Sequence, residues 1–152
     1  MTINEPKFLT DPTLRRLGHW LRAAGYDTSI ATAAETHHHY YLLRTAQHEG
    51  RLLLTRYDQL AEHRHAAGTV ILLSSETLEE CIKELCAFVS IDWQYNPFSR
   101  CIGCNQPVES AIASEQPQET HSYFCPTCNQ VYWYNDLPHN QPRHAWPQKL
   151  SR

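Results

Sequence analysis

The chain has 152 residues, with 13 Lys and Arg against 16 Asp and Glu, a formal net charge of −3 with His neutral. At 41% hydrophobic and 19% charged residues it has a globular composition, which excludes a wholly disordered chain. The longest aliphatic run, Val70 to Leu73, is far too short to span a bilayer, and the acidic balance leaves any nucleic-acid role to a local basic patch.

Lys7 to Thr10 reads as a short strand running into Asp11-Pro12, where Asp caps and Pro fits the first helical turn. Leu14, Leu17, Leu21 and Ala24 then recur on one helical face, with Arg15, Arg16 and Arg22 largely off it, and Gly25 ends the helix. A weaker strand covers Tyr26 to Thr32, and a second helix over Thr36 to Glu49 is closed by Gly50. Arg51 to Thr55 is a buried-type strand, whose unbroken apolar run suits a parallel sheet covered on both faces. A short helix over Leu60 to Ala66 precedes Gly68 and the strand Thr69 to Leu73. Ser75 or Thr77 caps a last helix in which Leu78, Ile82, Leu85 and Val89 form the inward stripe, flanked by Cys81 and Cys86 as small buried hydrophobes. The alternation predicts an α/β domain with a mostly parallel sheet flanked by helices. Ligands of such sheets gather beyond the C-terminal ends of the strands.

From Ile91 the texture changes, and seven of the nine prolines fall in this part. A boundary at Asn96-Pro97 divides the chain into an α/β domain over residues 1–96 and a second region over 97–152. In that region Cys101-x-x-Cys104 and Cys125-x-x-Cys128 make two knuckles twenty residues apart, the spacing of a tetrahedral zinc site. Met1 to Lys7 carries no basic-then-apolar leader, so a cytoplasmic protein is expected, in which metal ligation is favoured over disulfides. Four thiolates close the shell, so the zinc is structural, and the arrangement is a small zinc ribbon.

Three aspartates lie near strand ends: Asp11 after the first strand, Asp27 after Gly25-Tyr26 at the second, and Asp58 after Leu53 to Tyr57. Gathered at one edge, such carboxylates hold Mg²⁺ or Mn²⁺, which activate water for in-line attack on a phosphodiester. Singly, each has a plain alternative, Asp11 and Asp58 as helix caps and Asp27 as a turn residue. Ten histidines, among them His37-His38-His39, His63 and His65, offer imidazole ligands, but consecutive helical side chains point about 100° apart and solvated polar positions explain them as well.

The order of these pieces carries a resemblance. Lys7-Phe8-Leu9-x-Asp11, Arg16-Leu17, Trp20-Leu21-Arg22 and Gly25-Tyr26-Asp27-Thr28 resemble the start of the Mut7-C family. Glu49-Gly50-Arg51 with Leu53-Leu54-Thr55-Arg56 is similar to its second hallmark, and Arg100-Cys101-Ile102-x-Cys104-Asn105 with Cys125-Pro126-x-Cys128-x-x-Val131-Tyr132-Trp133 to its zinc ribbon. The resemblance implies a PIN-like domain, a mostly parallel sheet flanked by helices, with a C-terminal zinc ribbon, acting as a metal-dependent ribonuclease. It places Asp11 and Asp27 on family acidic positions. The chain departs from the family twice: Tyr57 stands where the family has Asp, with Asp58 one later, and His39 stands at another acidic position.

Two expectations follow. In the first, Asp11, Asp27 and Asp58 hold catalytic Mg²⁺ or Mn²⁺, Arg15, Arg16, Arg22 and Arg56 approach the phosphates of RNA, and Cys101, Cys104, Cys125 and Cys128 hold zinc. In the second, the fold and ribbon persist without a competent acidic cluster, in a module that binds RNA or a protein. The sequence leaves the oligomeric state open.

Overall fold

The computed structural model describes residues 5–33, 39–93, 95–96, 99–110 and 122–133. The described residues divide into two compact units, those within 1–18 and 27–91 and those within 19–26 and 92–152.

The first unit is built on a four-stranded parallel sheet, β1 (Phe8–Thr10), β2 (Thr28–Ile30), β3 (Leu52–Thr55) and β4 (Val70–Leu72), in the order β2-β1-β3-β4. Helices α1 (Arg15–Ala24), α2 (His39–Glu49), α3 (Asp58–Ala61) and α4 (Leu78–Phe88) alternate with the strands. The expected parallel α/β sheet is therefore present. Its register pairs Phe8 with Thr28 and Leu52, and Leu54 with Ile71, so the chain leaves each strand at the same edge. Leu9, Ala31, Leu42, Leu43, Ala46, Leu53 and Leu60 form one core cluster, with Tyr57 and Val70 packed against it. Gly18 lets α1 approach the sheet closely, since a Cβ there would meet Ile30 Cγ1 at 2.7 Å.

Several local expectations need correction. The third helix begins at Asp58, not Leu60, and ends at Ala61, because Tyr57 already occupies the N-cap position. In α4, capped by Thr77, the fully buried positions are Cys81 and Leu85, while Leu78 and Ile82 are only half-buried. Cys86, one residue past Leu85 and so about 100° around the helix, is exposed. Leu14, Leu17 and Leu21 are buried as expected, but Arg22 is buried with them. His37 and His38 and the tail after Trp133 lie outside the described residues. Among the described residues no helix is long and apolar enough to cross a membrane.

The second unit contains the C-terminal half of α1 and a three-stranded antiparallel sheet, β5 (Glu109–Ser110), β6 (Ser122–Cys125) and β7 (Gln130–Trp133). Buried Trp20 meets Trp93 edge to face, and Tyr26 stacks on Tyr95 with ring centroids 4.8 Å apart. Gly25 has φ +104°, and a Cβ on it would lie 2.4 Å from the Asn96 carbonyl oxygen. Both facts demand glycine. Gly25→Ala should lower the free energy of unfolding by about 1–3 kcal/mol, seen as an earlier urea midpoint with unchanged slope.

Candidate functional site

Asp11 stands where β1 ends, and its side chain is wholly buried. Its backbone N–H donates to Leu54 O at 3.1 Å, which fixes it at the seam between β1 and β3. One carboxylate oxygen accepts from the backbone N–H of Thr13 at 2.7 Å and from the Thr13 hydroxyl, capping the 3-10 turn Pro12–Leu14. The other accepts from the Thr55 hydroxyl at 2.7 Å and from the backbone N–H of Arg56 at 2.8 Å. Four donors therefore meet a group with about four acceptor sites. As built, the carboxylate is a tie between two strand ends and a turn.

Asp27 is not beside it. It precedes β2, and its carbonyl accepts from Phe8 N at 2.9 Å, at the edge where the strands begin. Level with Lys7 in the register, it lies four residues back along the sheet from Asp11, roughly 13 Å at the rise of a strand. There Asp27 Oδ1 accepts from Arg51 Nη1 at 2.8 Å, and Arg51 Nε donates to Glu49 at 2.7 Å. Burial alone would lower the Arg51 pKa, but its hydrogen bonds to Asp27 and Glu49 outweigh that and hold it above the ordinary value. Two hallmark segments, Gly25-Tyr26-Asp27 and Glu49-Gly50-Arg51, thus meet in one ion pair.

Asp58 is the first residue of α3 and is exposed. The residue in the field of Asp11 is Tyr57, whose hydroxyl is pushed above its ordinary pKa by burial and then by the Asp11 charge. The position where the resemblance leads one to expect an acid is therefore close to Asp11 and carries a phenol. His39 opens α2. The three aspartates do not converge: among the described residues the one group of three or more Cys, His, Asp and Glu side chains able to share an ion is the cysteine set.

Of the four arginines, Arg22 is buried, and its Nη1 donates to Ile102 O at 2.8 Å, so it supports the first knuckle and does not face solvent. Arg15 is exposed. Arg16 and Arg56 line a cavity of about 110 Å³ with Thr13, Leu14, Leu17, Glu76, Leu78 and Cys81. Every lining segment follows the end of β1, β3 or β4, so the cavity sits at the Asp11 edge. Arg56 Nε is buried and has no acceptor, while Nη2 makes only long contacts, 3.5 Å to Glu76 O and 3.6 Å to Cys81 Sγ.

The cysteines of the second unit do converge. All four sulfurs lie within 4.8 Å of one another, with Cys101 and Cys128 at 3.6 Å and Cys104 and Cys125 at 3.5 Å. Tetrahedral thiolates about 2.3 Å from zinc stand roughly 3.8 Å apart, so the set fits that ion. Each knuckle closes the same way. Asn105 and Asn129, both at positive φ, donate their N–H groups to the carbonyls of Cys101 and Cys125. Arg100 steadies the first knuckle, giving Nη1–H to Asn105 O at 2.9 Å and Nε–H to Gly25 O at 3.2 Å. Without a cation the thiols disfavour ionisation together: contact with Cys104, then burial, pushes Cys128 up to about 12, and burial raises Cys104. The cluster can hold a structural zinc.

Asp11→Asn replaces one carboxylate oxygen, which accepts two hydrogen bonds, with an NH2 group that faces those donors. It should cost about 3 kcal/mol of stability in a urea melt, whereas exposed Asp58→Asn should stay within about 0.5 kcal/mol.

The model of the Mut7-C RNAse domain matches residues 6–140. No curated protein and no solved structure matches the chain. With the match spanning nearly the whole length, and with the sheet, the Asp27–Arg51 tie and the four-cysteine cluster built from its hallmark segments, the chain belongs to the Mut7-C RNAse domain family.

Proposed function

We propose that this chain binds RNA through phosphate contacts at the Asp11 edge, and that it is a member of its family in which Asp11, Asp27 and Asp58 do not form a catalytic metal site. The cavity beside Asp11 carries this reading. The Arg56 guanidinium end lines this cavity with only long contacts at Nη2, and a phosphate oxygen brought to it, with Arg16 and the Thr13 segment alongside, supplies a closer acceptor. The dispersed carboxylates support the second half. A divalent ion at Asp11 must displace one of four donors, with Asp27 at the other end of the sheet and Tyr57 in place of an acid.

Family membership favours a second reading, hydrolysis of RNA with Mg²⁺ or Mn²⁺. Fluorescence anisotropy with single-stranded RNA and a cleavage assay separate the two. The wild-type protein should bind RNA without cutting it in either metal. Arg56→Ala should weaken binding about five-fold or more and reduce the salt slope by about 0.7. Cleavage that appears with Mn²⁺ or Mg²⁺, disappears with chelator and is increased by Tyr57→Asp would establish the second reading.

On the same reading the four cysteines, whose sulfurs converge, hold one structural zinc. Metal analysis should find one zinc per chain. Its removal by chelator should abolish hydrogen-exchange protection at 101–105 and 125–129 while β1 and β3 keep theirs.

A further inference from the structure

Away from the Asp11 edge, the exposed face of α2 is unusual for a surface. Tyr40 and Tyr41 are 45% and 54% exposed, the only large hydrophobic residues so open among the described residues apart from Phe88. They line a shallow, open surface depression with Arg44, Gln47 and His48, all on α2. None of these five residues carries a negative charge. Spaced at i, i+1, i+4, i+7 and i+8, they occupy one helical face.

The aromatic surface extends beyond the helix. The Tyr40 ring packs on His63 with centroids 4.8 Å apart, and His63 packs on His65 at 5.4 Å. The planes are tilted by 33° and 38°, and His63 links the other two rings in a tilted row of contacts. Gln47 Nε2 donates to His65 O at 2.8 Å, and His65 N donates to His63 Nδ1 at 3.1 Å, which ties the loop after α3 to α2. The row is thus held in place, not formed by rings meeting by chance. Exposed Arg44 lines the same depression as Tyr40 and Tyr41, and exposed Arg64 lies between His63 and His65 in sequence.

We propose that this face is a stacking platform for the unpaired bases of single-stranded RNA, with Arg44 and Arg64 meeting its phosphates. The proposal rests on the reading that the chain binds RNA, and adds that the RNA is unpaired and held by its bases. Flat rings offer every base a partner without selecting its sequence, and they stack with bases only when those bases are free of a duplex. The charge fits the same ligand, since cations beside aromatic rings accompany a polyanion.

The test uses the full chain with an oligouridylate and with an abasic oligonucleotide of equal length. Tyr40→Ala and Tyr41→Ala should each weaken oligouridylate binding about ten-fold, leave abasic binding unchanged, and be rescued by Phe at the same position. Both side chains are exposed, so thermal melts of the Tyr41→Ala protein should match the wild type. Arg56→Ala weakens both oligonucleotides and so reports on the Asp11 edge separately. Equal affinity of the Tyr variants and wild type for oligouridylate overturns the platform while leaving RNA binding intact. Tight binding of a blunt RNA duplex at this face also overturns it, as does self-association that disappears with Tyr40→Ala. Failure of the wild type to bind any RNA overturns both readings.

Discussion

A carboxylate with no exposed surface must find its partners inside the protein, and the Asp11 edge is organised around that requirement. Desolvating an ion costs several kcal/mol, and hydrogen bonds to a charged acceptor return about 1.5–3 kcal/mol each. Four such bonds return an amount of the same order as the cost, and the loss of any one leaves a buried acceptor site unfilled. The donors come from the turn after β1 and from the end of β3, so satisfying Asp11 also sets how those segments leave the sheet. Because the backbone N–H of Arg56 is one of the four, its side chain projects from that fixed point into the neighbouring cavity. The same balance makes metal capture at Asp11 compete with the fold itself.

The opposite edge has its own tie. Arg51 reaches from the start of β3 to the start of β2, and its Nη1 also lies 3.2 Å from the carbonyls of Phe8 and Asp27. One guanidinium thereby joins three neighbouring strands where they begin. Asp27 and Arg51 sit in two hallmark segments far apart in the chain, and this contact gives both a structural reason to be there. An acidic residue in a nuclease family need not be part of its chemistry.

Much of this was legible from periodicity and spacing. Apolar runs marked the strands, Pro12 and Gly25 bracketed α1, and the two C-x₂-C pairs announced a cluster whose sulfurs do meet. What could not be read was the end of the sheet at which each aspartate lies. Asp27 was placed with its strand but precedes it, and in a parallel sheet that difference of a few residues is the whole strand length. Helical phase alone puts Arg22 off the apolar face, yet it is buried, and its acceptor, Ile102 O, comes from far along the chain. The donors to Asp11 were equally hidden, since Thr55 and Arg56 reach it only through the β1–β3 pairing.

The line between the two units runs through the middle of α1, so the order of synthesis matters. The first half of the helix, residues 15–18, finds β1 and β2 within a few residues on either side. The second half waits for its partners. Trp93, the Asn96 N–H that bonds Ala24 O, and the Ile102 carbonyl for Arg22 all emerge more than sixty residues later. During that interval Trp20 lacks the ring it will pack against and Arg22 the acceptor it will bond. The nascent chain therefore carries a half-finished helix while some seventy further residues are made, a window in which its unpartnered side chains are open to chaperone binding or misassembly.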